Sequence, residues 1–130
     1  MIPDDPALLD FWRERHLCTL TTLRRDGSPH VVPVGATLDP AAGLVRVTAS
    51  RTSAKVRHVL AGSALVAVCQ VDGPRWSTLE GLAVIRDDPA SVAEAVRRYA
   101  ARYRPPRENP ARVVLEVTVT RVLGLGRRAG

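Results

Sequence analysis

The stretch LCTLTTLRRDGSPHVVPVGATLD, residues 17–39, decides the fold. Apolar and β-branched residues crowd both sides of Asp26-Gly27, a dipeptide whose glycine permits positive φ, so the stretch reads as a β-hairpin. Its second arm carries Pro29 and Pro33. Proline cannot donate to a sheet ladder, so the segment around Pro33 is expected at an edge or bulge, with one face open for something else to approach.

On the N-terminal side, DDPALLDFWRER (residues 4–15) places aspartates and a proline ahead of Leu8, Leu9, Phe11 and Trp12, the pattern of a short amphipathic helix. On the other side, LVRVTAS (residues 44–50) reads as a third strand, followed by a short helix, SAKVRHVLAG, that Ser53 can cap and Gly62 ends. SALVAVCQVD and RWSTLEGLAVIRD form a second strand pair around Gly73-Pro74. PASVAEAVRRYAARY is a helix with Pro89 at its start, and VVLEVTVTRVLGL closes the chain as a long strand. Hairpin connections and six strands predict one mainly β domain of α+β type over residues 1–130, an antiparallel barrel with peripheral helices.

A chain of 130 residues buries about two-thirds of its unfolded surface, enough for a real core. No N-terminal signal pattern or long apolar run is present, so no membrane partner is expected and the reading is cytoplasmic. Cys18 and Cys69 lie in separate apolar runs without metal spacing and read as buried reduced thiols, with no metal site. The net charge of +6, from 19 basic and 13 acidic residues, raises nucleic acid as a partner. The arginines are scattered, and no recognition helix, zinc spacing or aromatic RNA-binding strand accompanies them, so no nucleic acid is expected. An anionic small ligand uses the same positive field with less surface.

No GxSxG, HExxH, Walker loop or GxGxxG is present, and no catalytic side chain is assigned. His16 and His58 read as surface or structural histidines, and His30 alternates with Val32 and Val34 along a strand without a nameable partner. Glu80 reads as solvent-facing; turned inward it would need a partner such as Arg75. Lys55 is the one lysine in the chain, every other basic residue being arginine. Two readings are open: a stray survivor of codon bias, or a compact ammonium placed to meet an anion from several directions. Around it, Thr48, Ser50, Arg51, Thr52 and Ser53 gather hydroxyls and a guanidinium at a helix start. That is an anion site or else an ordinary capped helix with a basic, solvated first turn.

The segments HVVPVGATLD, VTASRTSAK, QVDGPRWSTLEGLAVI and RYRPPRENPARVVLEV, in this order and spacing, resemble the split β-barrel flavin and deazaflavin oxidoreductases related to pyridoxamine 5′-phosphate oxidase. Within that family the RWSTLEG and RYRPPRENP segments are similar to the branch that uses coenzyme F420, the biliverdin reductases in particular. The resemblance covers residues 8–124 and implies a six-stranded antiparallel split barrel of the FMN-binding type. It further implies a homodimer with shared active sites. Pro33 and Val34 would lie along the cofactor ring, Thr48, Ser50, Arg51, Ser53 and Lys55 would hold its phosphate, and Trp76 would reach in from the other subunit. The implied activity is hydride transfer from reduced F420 to a conjugated acceptor, biliverdin first. The alternatives are an FMN-dependent oxidoreductase of the oxidase type and a non-catalytic flavin- or haem-binding protein. The C-terminal Arg and Trp segment that the oxidase uses for pyridoxal phosphate has no counterpart here, which counts against oxidation of pyridoxamine phosphate. Arginines in residues 102–112 are candidates for meeting acceptor carboxylates.

Overall fold

A computed structural model describes residues 2–125. Helix α1 (Pro6–Arg13) starts with Asp5 accepting from the Ala7 N–H at 2.9 Å, with Pro6 in the first turn where a missing N–H costs nothing. It buries Leu8, Phe11 and Trp12. Strands β1 (Cys18–Leu23) and β2 (Pro29–Val34) form the expected hairpin, and Gly27 takes φ of 85°. The strands that follow are β3 (Ala36–Asp39), β4 (Leu44–Ser50), β5 (Leu65–Asp72), β6 (Arg75–Arg86) and β7 (Arg112–Gly124). Helix α2 (Ala54–Leu60) joins β4 to β5, and α3 (Pro89–Arg102) joins β6 to β7, capped by Asp88 on the Ser91 N–H.

All seven strands make one antiparallel sheet in the order β2-β1-β5-β6-β7-β4-β3. The sequence reading of six strands is corrected by one, because the second hairpin arm breaks at Gly35. Gly35 lies against the rings of Tyr99 in α3 and of Tyr103 just after it, where a Cβ would come within 2.6 Å of Tyr99 Cε2. β2 and β3 are the two outer strands of the sheet, and one residue joins them. Consecutive Cα atoms are about 3.8 Å apart, so the two edges close to within about 8 Å and the sheet must curl into a barrel. Proline sits where its missing N–H is tolerated: Pro29 and Pro33 are on the edge strand β2, which pairs only with β1.

Period-two alternation sends one set of side chains inside. Leu20, Val34, Val45, Val47, Val68, Leu79, Leu115 and Val117 are buried together with Leu8 and Trp12. Trp12 anchors α1 by donating its Nε1–H to the buried Ser77 hydroxyl at 3.0 Å. The register of β6 on β7 slips at Glu80/Gly81. There Gly81 presses on the Thr118 carbonyl so closely that any Cβ would collide with backbone. No described helix is long and apolar enough to cross a membrane.

Candidate functional site

The end of β4 and the start of α2 form a tightly wired corner. Ser50 Oγ accepts from Asn109 Nδ2 at 2.9 Å, and the Arg51 N–H donates to the Ala111 carbonyl at 2.8 Å. The Ser50 carbonyl takes both the Ser53 N–H (3.0 Å) and the Ser53 hydroxyl (2.8 Å). Ser53 therefore occupies the N-cap position without capping α2 through its side chain, a correction to its expected role. The local turn competes successfully for the hydroxyl proton. Arg57 folds back to donate to the Thr52 carbonyl at 2.9 Å.

Two cations at this corner are left over. Lys55 is half-buried, and its ammonium makes no hydrogen bond or ion pair among the described residues. Burial alone pushes its pKa below the ordinary lysine value. The exposed Arg51 guanidinium is likewise unpaired among the described residues, and the first turn of α2 holds no acid. A half-buried ammonium without a counter-charge is costly by itself and is relieved by an anion from outside the chain. Thr48 is half-buried on the same face of β4 as Ser50, and its hydroxyl has no hydrogen-bond partner among the described residues. Of the expected site residues, the structure brings together Thr48, Ser50, Arg51, Ser53 and Lys55.

The other three lie elsewhere. Pro33 is exposed on the outer face of β2, opposite Thr19. Val34 turns its side chain into the core, so a ligand along this edge would meet only its backbone. Trp76, 44 % exposed, is the second residue of β6, on the outer face, and pairs across the strands with the exposed Val71. Val56, the neighbour of Lys55, packs in one cluster with Ile85 near the far end of β6. About 30 Å of strand separates Trp76 from Ile85 at roughly 3.3 Å per residue. One chain therefore does not bring Trp76 to Lys55.

The outer face that carries Trp76 is unusually apolar for an open sheet. Val31, Leu65, Val71, Leu82 and Val84 all project from it with exposures of 45 % or more. A groove of about 430 Å³ crosses it between Thr21, Leu65, Glu80 and Arg121. Glu80 faces this groove, as the sequence suggests, and its counter-charge is Arg121 Nε at 3.8 Å. Arg75 is instead held by both oxygens of Glu14 (2.8 and 2.9 Å) and by Asp72 at 2.5 Å. The Arg75 and His16 contacts lower the Glu14 pKa to about 2.

The remaining candidates are structural. His58 Nδ1 meets the buried Thr22 hydroxyl at 2.8 Å, and its ring stands edge-on to His30, whose Nδ1 is buried with no hydrogen-bond partner among the described residues. His16 pairs with Glu14. Arg102 is withdrawn from any role with acceptor carboxylates. It ends α3, donates to the carbonyls of Glu14 and Ala36 and to Gln70 Oε1, and stacks over the Trp12 and Tyr103 rings. Cys18 points inward and Cys69 outward on neighbouring strands, both free. Cys69 is half-buried instead of buried. Sequence reading misses one cluster: Arg24, Arg25, Arg57 and His58, which share a groove of about 630 Å³. More than thirty positions separate its two halves along the chain, so only the fold brings them together.

A curled antiparallel sheet with proline on its edge strand, a cationic corner and an open apolar face defines a split β-barrel protein. The chain belongs to the pyridoxamine 5′-phosphate oxidase family, whose pattern matches residues 4–126. It is 52% identical over 116 residues to the F420H(2)-dependent biliverdin reductase of Mycobacterium tuberculosis (strain CDC 1551 / Oshkosh), covering 89% of this chain and 84% of that one. Among solved structures, an F420 reductase superposes with a TM-score of 0.72 at 24% identity, covering 94% of this chain and 98% of that one. A pyridoxamine 5′-phosphate oxidase-like protein from Listeria innocua gives 0.74 at 17% identity, covering 93% and 97%. These two likenesses establish the fold.

Proposed function

We propose that this protein is an F420-dependent reductase that transfers hydride to a conjugated acceptor, with biliverdin as the first substrate to test. The observation that carries this reading is the 52% identity to the mycobacterial F420H(2)-dependent biliverdin reductase across most of both chains. The chain's own residues fit such a cofactor. The unpaired Lys55 and Arg51 supply the positive charge that a phosphate needs, Thr48 and Ser50 supply hydroxyls beside them, and Ser53 would join them on releasing its hydrogen bond to the Ser50 carbonyl. The edge strand at Pro33 and Val34 offers backbone, free of a further strand, to a flat ring. When bound, reduced F420 supplies the hydride from its C5 position; the protein positions both reactants and shields them from water.

We also infer a homodimer. A second copy would cover the apolar outer face and bring the partner subunit's Trp76 to a site that its own chain cannot complete. The free thiols of Cys18 and Cys69 suit a reducing, cytoplasmic setting. The test is anaerobic: purified protein, reduced F420 and biliverdin, followed by F420 absorbance. Oxidation of F420 with loss of biliverdin in equal amounts supports the reading. FMN reduction chemistry without any use of F420 would replace it with the FMN alternative, and binding without turnover would make the protein a carrier.

A further inference from the structure

The groove between the β1–β2 turn and the C-terminal end of α2 is lined by Arg24, Arg25, Arg57 and His58, with a volume of about 630 Å³. None of these four groups has a carboxylate within ion-pair distance among the described residues. Arg24 donates to the Pro29 carbonyl at 2.7 Å, Arg57 to the Thr52 carbonyl, and the Arg25 side chain makes no hydrogen bond or ion pair among the described residues. The last carbonyls of α2 are taken by the Ala61, Gly62 and Ser63 N–H groups, so they do not neutralise the cations either. The neighbouring Asp26 is turned back onto the Ser28 N–H and hydroxyl.

A second arginine-lined groove in the same molecule serves as a control. Between α1, β3 and α3, Arg13, Arg97 and Arg98 line about 290 Å³, but Asp10, Glu94 and Asp39 already pair with them. Those three guanidiniums are balanced from within by carboxylates; the ones in the groove beside α2 are not. Uncompensated guanidiniums converging on one concave surface favour a ligand with several negative charges.

We propose that this groove is a second anion site, distinct from the Lys55 corner, that takes a small molecule bearing two or more carboxylate or phosphate groups and takes up a proton at His58 as it binds. His58 faces Thr22 from β1, His30 from β2, Arg24 from the turn and Arg57 from its own helix. Burial, then the positive charge of these neighbours, holds its pKa below the ordinary histidine value. An anion that compensates Arg24 and Arg57 removes part of that opposition, and the imidazole gains a proton from solvent.

Citrate titrated into the cofactor-free protein, with the His58 ring signals followed by NMR across pH, tests this. Saturating citrate is expected to raise the His58 titration midpoint. Arg25→Glu and Arg57→Gln are each expected to weaken citrate by at least about fivefold, the scale of one charge-assisted contact. Arg25 is exposed and has no hydrogen bond or ion pair among the described residues, so its variant separates binding from stability, and unchanged thermal unfolding checks this. Lys55→Ala is expected to keep citrate binding. An unmoved His58 midpoint, unchanged affinity in both arginine variants, or loss of binding in Lys55→Ala would each overturn the proposal. Adding F420 then identifies the source: displacement of citrate assigns the groove to the anionic tail of a bound cofactor, and simultaneous binding assigns it to a free anion. The citrate titrations need no F420, so their failure is separable from failure of the F420 reading.

Discussion

The ring of His58 stands edge-on to that of His30 at a centroid distance of 4.9 Å while its Nδ1 sits 2.8 Å from the Thr22 hydroxyl. This packing ties α2 to the β1–β2 hairpin, and burial together with the nearby His30, Arg24 and Arg57 disfavours a charged imidazole there while no anion is bound. The folded-state pKa of His58 is depressed, chiefly by burial. Its contribution to stability is therefore complete above the unfolded pKa of about 6.5 and is lost as pH falls through the lower folded value. A second loss is expected from about pH 4.5 downward, as Glu14 and Glu94, both held at about 2 by their arginine partners, are protonated. Urea midpoints measured from about pH 8 to about pH 2 should fall in these two stages, and His58→Gln should remove the first. A wild-type midpoint that is flat between pH 7.5 and 5.5 would contradict the assignment.

Gly35→Ala should destabilise the fold by about 1–3 kcal/mol, the usual cost of overpacking, because the new Cβ must displace the Tyr99 ring. The same substitution at Gly81 should be worse, since the obstacle there is the Thr118 backbone. Chemical denaturation of the two variants checks the order. Equal, small losses would mean that neither close approach is needed for closure of the barrel.

Most of the strand pairing was legible because it rests on local signals: Asp26-Gly27 turns the first hairpin, Gly73-Pro74 the second, and two prolines mark β2 as an edge. The break at Gly35 was not legible, because what demands a glycine there is Tyr99, more than sixty positions away. The Lys55 corner was readable as a run of donors within one short segment. Its missing counter-charge was not, since only the fold shows that no acid among the described residues pairs with it. Arg102 was misread as a candidate for acceptor carboxylates for a related reason: its acceptors are two backbone carbonyls and a buried glutamine from three distant segments.

A site shared between two chains makes a distinctive prediction for mixed variants. Lys55→Ala and Trp76→Ala should each impair F420-dependent turnover. After subunit exchange, a heterodimer holds one doubly altered site and one intact site, so random mixing should restore about a quarter of all sites. A tagged pull-down confirms exchange. Exchange without recovered activity would leave Trp76 as a packing residue of the β5–β6 hairpin.

F420 should bind more tightly than FMN, because an anionic tail beyond the phosphate gains from the positive field around Arg51 and Arg57. Affinity should fall as added salt shortens the Debye length below about 10 Å. Equal affinity for both cofactors at all salt concentrations would contradict this.

The most direct measurement is F420 affinity, by fluorescence titration, in wild type and in Lys55→Ala. Loss of a charge-assisted hydrogen bond to phosphate should cost about 1.5–3 kcal/mol, roughly 10- to 150-fold in Kd, with thermal stability unchanged and Lys55→Arg only partly restoring binding. Wild-type affinity in Lys55→Ala would contradict the account, because the unpaired ammonium at the β4–α2 corner would then have no part in holding the cofactor.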